Sequence, residues 1–171
     1  MMLPTPPRGT YWVPVDPGAV LAGPHPVLAK EGLGDRIRIL VEHVGVGHFL
    51  DLSSADDWMP GYRDLLPDRV RYTRYEILDR WLPPDGPLLH EILQHVIEDA
   101  RAGEIAYVHC QAGLGRTGTV IGCLLRELGF DAEAALDELV RLRLQARLHE
   151  GSPEFAEQRD YVRAWRARIN S

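Results

Sequence analysis

The sequence predicts an α/β domain with a central, mostly parallel sheet flanked by helices. Three observations carry that expectation. From residue 28 onward, apolar runs of strand length alternate with runs of helical period, the pattern left by strands joined through helical crossovers. The helical runs open on capping and turn residues, as at Pro83-Pro84-Asp85-Gly86 and at Asp131. The 171 residues are enough for one domain, since a chain of this size buries roughly 70 per cent of the surface it exposes when unfolded.

Taken in order, residues 11–14 and 18–22 read as short strands separated by the turn signal Asp16-Pro17-Gly18, and residues 28–44 contain a helical stretch around Ile37, Leu40 and Val41. Gly47 to Leu52 is a compact apolar strand ending in Asp51, which reads as structural, and Val70 to Leu78 alternates as the next strand. Pro87 to Ala102 then reads as a helix, Ile105 to Cys110 as a buried strand and Thr117 to Leu128 as a helix. Asp131 caps a further helix, and Ser152-Pro153 reads as the cap and first turn of the last one. A single domain over residues 1–171 is expected, with the proline-rich residues 1–8 disordered.

At the last strand-to-helix junction stands His109-Cys110-Gln111-Ala112-Gly113-Leu114-Gly115-Arg116-Thr117-Gly118-Thr119. This is the plan of a phosphate-binding loop around a nucleophile. A thiol at a helix N-terminus and near an arginine ionises readily, so Cys110 is the candidate nucleophile. The five intervening residues, Gln111, Ala112, Gly113, Leu114 and Gly115, let the chain curl so that its amides face a tetrahedral oxyanion, with the two glycines supplying positive φ and close approach. Gly118 lets the helix pack closely beneath. Arg116 is expected to bring its planar fork over the same anion, a bidentate grip that lysine could not supply. Thr117, as first residue of the helix, is expected to offer its hydroxyl to the cysteine sulfur and so help it leave, and His109 to order the loop from behind.

His-Cys-x-x-Gly-x-x-Arg-Thr-Gly resembles the signature of the cysteine-dependent protein tyrosine phosphatases, and its Ala-Gly-Leu-Gly-Arg-Thr-Gly form is similar to the small dual-specificity branch. Tyr11-Trp12-Val13 with Leu21-Ala22-Gly23-Pro24 resembles the opening strands of small bacterial and atypical members, and residues 152–158 resemble the segment that opens their last helix. The resemblance implies a protein tyrosine phosphatase-like fold and a phosphomonoesterase working through a phosphocysteine, without metal or other cofactor. It also implies a carboxylic acid on a loop about thirty residues before the cysteine.

Chemistry asks for that acid independently, since an alkoxide or phenoxide leaves slowly unless protonated. Asp79 lies 31 residues before Cys110 at the end of the alternating run and is the candidate; Asp85, 25 before, sits in a turn signal and reads as a helix cap. Trp81, Pro83 and Pro84 would stiffen a lid over the site. Longer, tyrosine-specific relatives place a glutamine near the start of the last helix to position water; spacing from Gln158 puts that position at Glu154. First-turn polarity is the simpler reading of both residues.

Cys110 and Cys123 lack paired spacing, no signal segment is evident, and a reduced cytoplasmic setting is expected. Cys123 falls in an apolar helix, where a small buried hydrophobe is the ordinary explanation. The net charge of −6 argues against a nucleic-acid partner, and no run has the length of a membrane span. Of the 19 lysine and arginine residues all but Lys30 are arginine; Arg69, Arg71, Arg74 and Arg80 cluster before the acid loop, and Arg141, Arg143 and Arg147 between the last two helices. A basic rim there would attract phosphorylated substrates, although solvated faces and ion pairs are the ordinary fate of such residues. His90 and His95, five apart on a helix, diverge and offer no metal pair.

The expected partner is a phosphorylated protein or a small phosphate ester; nothing in the sequence requires more than a monomer. Phosphoinositide phosphatases of the superfamily it resembles tend to place extra lysines in this loop, and lysine is absent from positions 111, 112, 114 and 115; the resemblance therefore implies a singly phosphorylated substrate, a tyrosine- or dual-specificity-type phosphoprotein. Inositol phosphates and RNA 5′ phosphates stay open as alternatives. A sulfurtransferase also cradles a cysteine but needs neither the Asp79-type acid nor the Arg116-Thr117 pair. A binding module without catalysis commonly lacks the cysteine, the arginine or the acid, and all three are present.

Overall fold

A computed structural model describes residues 2–168. Five strands form one sheet in the order β1-β2-β5-β3-β4, with β1 (Tyr11–Val15), β2 (Gly18–Gly23), β3 (Val46–Asp51), β4 (Arg71–Arg74) and β5 (Ile105–His109). The hairpin β1-β2 is antiparallel, and β2, β5, β3 and β4 run parallel. The expected α/β architecture is therefore present, with the strand that leads to Cys110 at the centre of the sheet.

The alternation of side chains across β5 sorts the core into two layers. Ala106, Val108 and Cys110 face one cluster with α2 (Gly86–Arg101), α3 (Gly115–Glu127), α4 (Ala132–Gln145) and α5 (Ala156–Ala164), where Leu50, Leu89, Leu93, Ile121 and Leu139 are fully or almost fully buried. Ile105 and Tyr107 face the other, with Ile37 of α1 (Leu33–Arg38), Leu40 and Val44 of the π-helical turns that continue it, and Phe49 and Tyr62. Burial of one such side chain is worth about 2 kcal/mol, so both layers brace β5 and the loop that follows it.

Four expectations are corrected. The strand after Gly47–Leu52 is shorter than residues 70–78: only Arg71–Arg74 pair regularly, and Tyr75 and Ile77 instead donate from their backbone amides to Asp51 O and Leu52 O as the chain turns toward the site. Between β3 and β4 the connection holds only short 3-10 turns rather than a crossover helix. The last helix starts at Ala156, because the Ser152 hydroxyl donates to the Leu114 carbonyl instead of capping; Gln158 Oε1 accepts from Phe155 N at its start. Residues 2–8, expected to be disordered, carry no regular element but are tied down, with Trp12 Nε1 donating to Pro4 O and Arg36 to Arg8 O.

Candidate active site

Residues 110–116 curl at the carboxyl end of β5, between the ends of β2 and β3, the crevice in which open α/β sheets hold ligands. Four loop carbonyls are each held from outside. Cys110 O accepts from His109 Nδ1 at 3.1 Å, Gln111 O from His25 N at 2.8 Å, Gly113 O from Arg143 at 3.2 Å and Leu114 O from Ser152 Oγ at 2.7 Å. In a trans peptide the carbonyl and the following N–H point opposite ways, so the amides of Gln111, Ala112, Leu114 and Gly115 are turned away from these clamps. Gly113 has φ 73°, and its amide meets Cys110 Sγ at 3.3 Å inside the curl. Gly115, where positive φ was also expected, is instead the first residue of α3. A Cβ on Gly118 would lie 2.1 Å from Ser152 Oγ, so the missing side chain there is what admits the Ser152 clamp.

Cys110 is 2% exposed, at the floor of a cleft of about 270 Å³ lined also by Asp79, Arg80, Gln111, Ala112, Gly115, Arg116, Glu154, Phe155 and Gln158. Because α3 begins at Gly115, Arg116 and Thr117 lie in its first turn, and their amides belong to the unpaired N-terminal set. Arg116 is buried and bonded to Asp57 Oδ2 at 2.6 Å, to Ile77 O at 3.1 Å and, at 3.3 Å, to Asp79. Burial works against its charge, but the bond to Asp57 and the neighbouring Cys110 and Asp79 hold it firmly protonated. Thr117, expected as the first helical residue, is the third, and its buried hydroxyl has no hydrogen-bond partner among the described residues.

Behind the loop His109 is fully buried with Nε2 against the Tyr62 hydroxyl. Its Nδ1 faces a carbonyl and so must carry the proton, which leaves Nε2 to accept from Tyr62. Burial lowers the His109 pKa and keeps the ring neutral. Asp51 lies beneath it, accepting from Ser53 N and Ser53 Oγ and from Tyr72 at 2.7 Å. Burial opposes ionisation of Asp51, but the nearby His109 ring and these bonds hold its carboxyl below the usual range. His25 packs edge-on against both Tyr62 and His109, and burial lowers its pKa to about 4.

Asp79 and Asp85 part company. The Asp79 carboxylate is exposed at the cleft beside Arg116, in a turn closed by Trp81 N donating to Leu78 O. Asp85 caps α2, accepting from Leu88 N at 2.9 Å. Arg80, with φ 66°, lies over the Phe155 ring at 5.6 Å and so fastens the acid loop to the segment before α5. Both Glu154 and Gln158 line the cleft; Glu154 precedes the helix, whereas the buried Gln158 is its third residue, so first-turn polarity describes only Gln158. Of the arginines expected in a basic rim, Arg80 lines the cleft, and Arg74 bonds to Ser53 O at 3.2 Å and faces Glu76. Arg71 is paired with Asp99 and Glu104, Arg141 with Glu138, and Arg143 is buried.

A family model described as the Swiss Army Knife DSP-PTPase phosphatase domain matches residues 8–166. The chain belongs to this dual-specificity phosphatase family. Among solved structures the phosphatase is similar to Tk-PTP in its active form, with 27% identity, a TM-score of 0.67, and 93% of this chain and 98% of that one covered. Kinase associated phosphatase shares the fold at 19% identity and TM-score 0.73, covering 93% of this chain and 94% of that one. So does the catalytic core of the PP-IP phosphatase Siw14 from S. cerevisiae, at 18% identity and TM-score 0.66, covering 94% of this chain and 87% of that one. These place the phosphatase in the atypical dual-specificity branch of the cysteine-dependent superfamily. Among the described residues no helix is long and apolar enough to cross a membrane.

Several residues that build the phosphatase site escaped sequence reasoning: Asp57, Tyr62, Ser152 in its clamping role, and Arg143. Only Asp57 left a signal, as an acid following the carboxyl end of the strand that neighbours β5. Tyr62 reaches His109 from 47 residues away, and Ser152 and Arg143 reach the loop from 38 and 30 residues away through the fold.

Proposed function

We propose that this phosphatase hydrolyses phosphotyrosine and phosphothreonine on proteins through a phosphocysteine intermediate. The observation that carries the protein reading is the charge of the cleft. Apart from Arg116, its lining offers one cation, Arg80, against two acids, Asp79 and Glu154. A ring bearing several phosphates would bring its further phosphates against Glu154 with no lysine to receive them, whereas a single phosphate on an uncharged side chain meets no such repulsion. Phe155 adds an aromatic wall suited to a phenyl ring.

In the first step the Cys110 thiolate attacks phosphorus in line, the P–O bond to the substrate breaks, and Asp79 gives its proton to the departing oxygen. In the second, water attacks the phosphocysteine, the S–P bond breaks, and Asp79, now ionised, takes the water's proton. Arg116 and the amides of residues 111–116 stabilise the equatorial oxygens in both. To grip them Arg116 exchanges part of its contact with Asp79 for the phosphoryl group. The unpartnered Thr117 hydroxyl is free to donate to the sulfur as it leaves, and His109 supports the loop from behind.

The test is hydrolysis of para-nitrophenyl phosphate with chelator present, by wild type and Cys110→Ser, followed by phosphotyrosine and phosphothreonine peptides, inositol phosphates and 5′-phosphorylated RNA. Chelator-resistant turnover that vanishes in Cys110→Ser, with peptides preferred, is the expected result. Unchanged turnover in the variant would sink the mechanism, and preference for an inositol phosphate or RNA would move the substrate assignment.

A further inference from the structure

Arg143 is a buried cation in the last turn of α4, 5% exposed, and among the described residues no carboxylate lies within ion-pair reach of it. Leaving a charge buried without a counter-ion is unfavourable unless its hydrogen bonds are met. Two of its five donors go to backbone carbonyls: Nε donates to His149 O at 2.8 Å and one terminal nitrogen donates to Gly113 O at 3.2 Å. Its remaining face lies over the Tyr11 ring at 5.4 Å. The guanidinium thus ties β1, the segment after α4 and the catalytic loop together at one point.

We propose that Arg143 is a positioning residue that holds the Gly113–Leu114 peptide in its anion-binding orientation. The inference rests on the reading of residues 110–116 as a phosphate cradle. Gly113 is the most permissive point of the loop, with φ 73° and no side chain to resist a peptide flip. A flip would turn the Gly113 carbonyl into the cradle, replacing the donor Leu114 N–H by an acceptor that repels phosphate. Of the four outside clamps, only Arg143 carries a permanent charge, and a charge-assisted bond is the stronger kind. The fork geometry matters as well as the charge. Two carbonyls in different directions are served by the rigid guanidinium, whereas a lysine ammonium of similar charge is a single point on a flexible stem.

The experiment compares alkylation of Cys110 by iodoacetate, an anion that needs the cradle, with alkylation by neutral iodoacetamide, in wild type, Arg143→Lys and Arg143→Met. Wild type is expected to favour iodoacetate and to be protected by inorganic phosphate. Both variants should lose about tenfold of that preference with the iodoacetamide rate and far-UV circular dichroism unchanged, and their KM for para-nitrophenyl phosphate should rise more than kcat falls. Should the methionine variant not fold, the lysine variant decides, since it keeps charge and bulk. Full iodoacetate preference in a folded variant would overturn the role of Arg143 while leaving the cradle intact. Absence of any preference or phosphate protection in wild type would overturn the cradle reading and the Arg143 role with it.

Discussion

The guanidinium of Arg116 and the carboxylate of Asp57 meet at 2.6 Å with both side chains almost wholly buried, 59 residues apart in sequence. Removing one partner of such a pair leaves an uncompensated buried charge. Asp57→Asn should therefore lose about 3 kcal/mol of stability in phosphate-free buffer, and saturating phosphate should raise its melting temperature more than it raises that of wild type, because the bound anion restores the missing charge. Thermal denaturation with and without phosphate checks this; equal shifts would mean that phosphate does not reach Arg116.

The general acid separates from the helix cap in a pair of variants. Asp79→Asn should lower kcat about 100-fold for substrates with poor leaving groups and flatten the basic limb of the pH profile, the expected loss for one positioned proton donor. Asp85→Asn should leave kcat within twofold and cost about 0.5 kcal/mol at most, because asparagine also caps helices. Matching pH profiles in wild type and Asp79→Asn would reassign the acid.

Gly113→Ala tests the backbone of the loop. A Cβ there would stand 2.5 Å from Gly23 C and 2.6 Å from Gly23 O, and backbone does not yield cheaply. Phosphate affinity should fall at least about tenfold with the fold retained, since the loop must leave its curled conformation. Gly45→Ala, with a similar φ of 87° but open space around it, is the control: it should cost about 1 kcal/mol and leave phosphate binding alone. Isothermal titration with phosphate distinguishes them.

Burial of His25 makes stability depend on pH. Unfolded histidine takes up its proton near 6.5, whereas native His25 does so only near 4. Between those values the unfolded state binds more protons, so stability declines as pH falls through this window and loses nothing further from His25 below it. The loss is on the order of 3 kcal/mol. His25→Asn keeps an acceptor for Val27 N, which His25 Nδ1 now receives at 3.1 Å, and should make the decline between pH 6.5 and 4 shallower. Urea titrations across that range measure the slope, and an unaltered slope would mean another group carries it.

What the sequence by itself determined about this protein is local. The strand-to-helix junction at Cys110, the spacing to Arg116, the glycine that takes positive φ at 113 and the assignment of Asp85 to a cap all depend on residues within a few positions of one another, where backbone geometry leaves few choices. Sheet-forming runs were legible for the same reason, since alternation and apolar content mark burial directly. Tertiary structure alone decided where β4 gives way to the acid loop, because Tyr75 and Ile77 bond to the end of β3 rather than extend a ladder. It also decided that Ser152 clamps Leu114 instead of capping a helix, and that Asp57, Tyr62 and Arg143 converge on the loop. Serine, tyrosine and arginine side chains satisfy whichever buried polar group the fold brings within 3 Å or so, and that choice depends on packing between distant segments, which no short window of sequence contains.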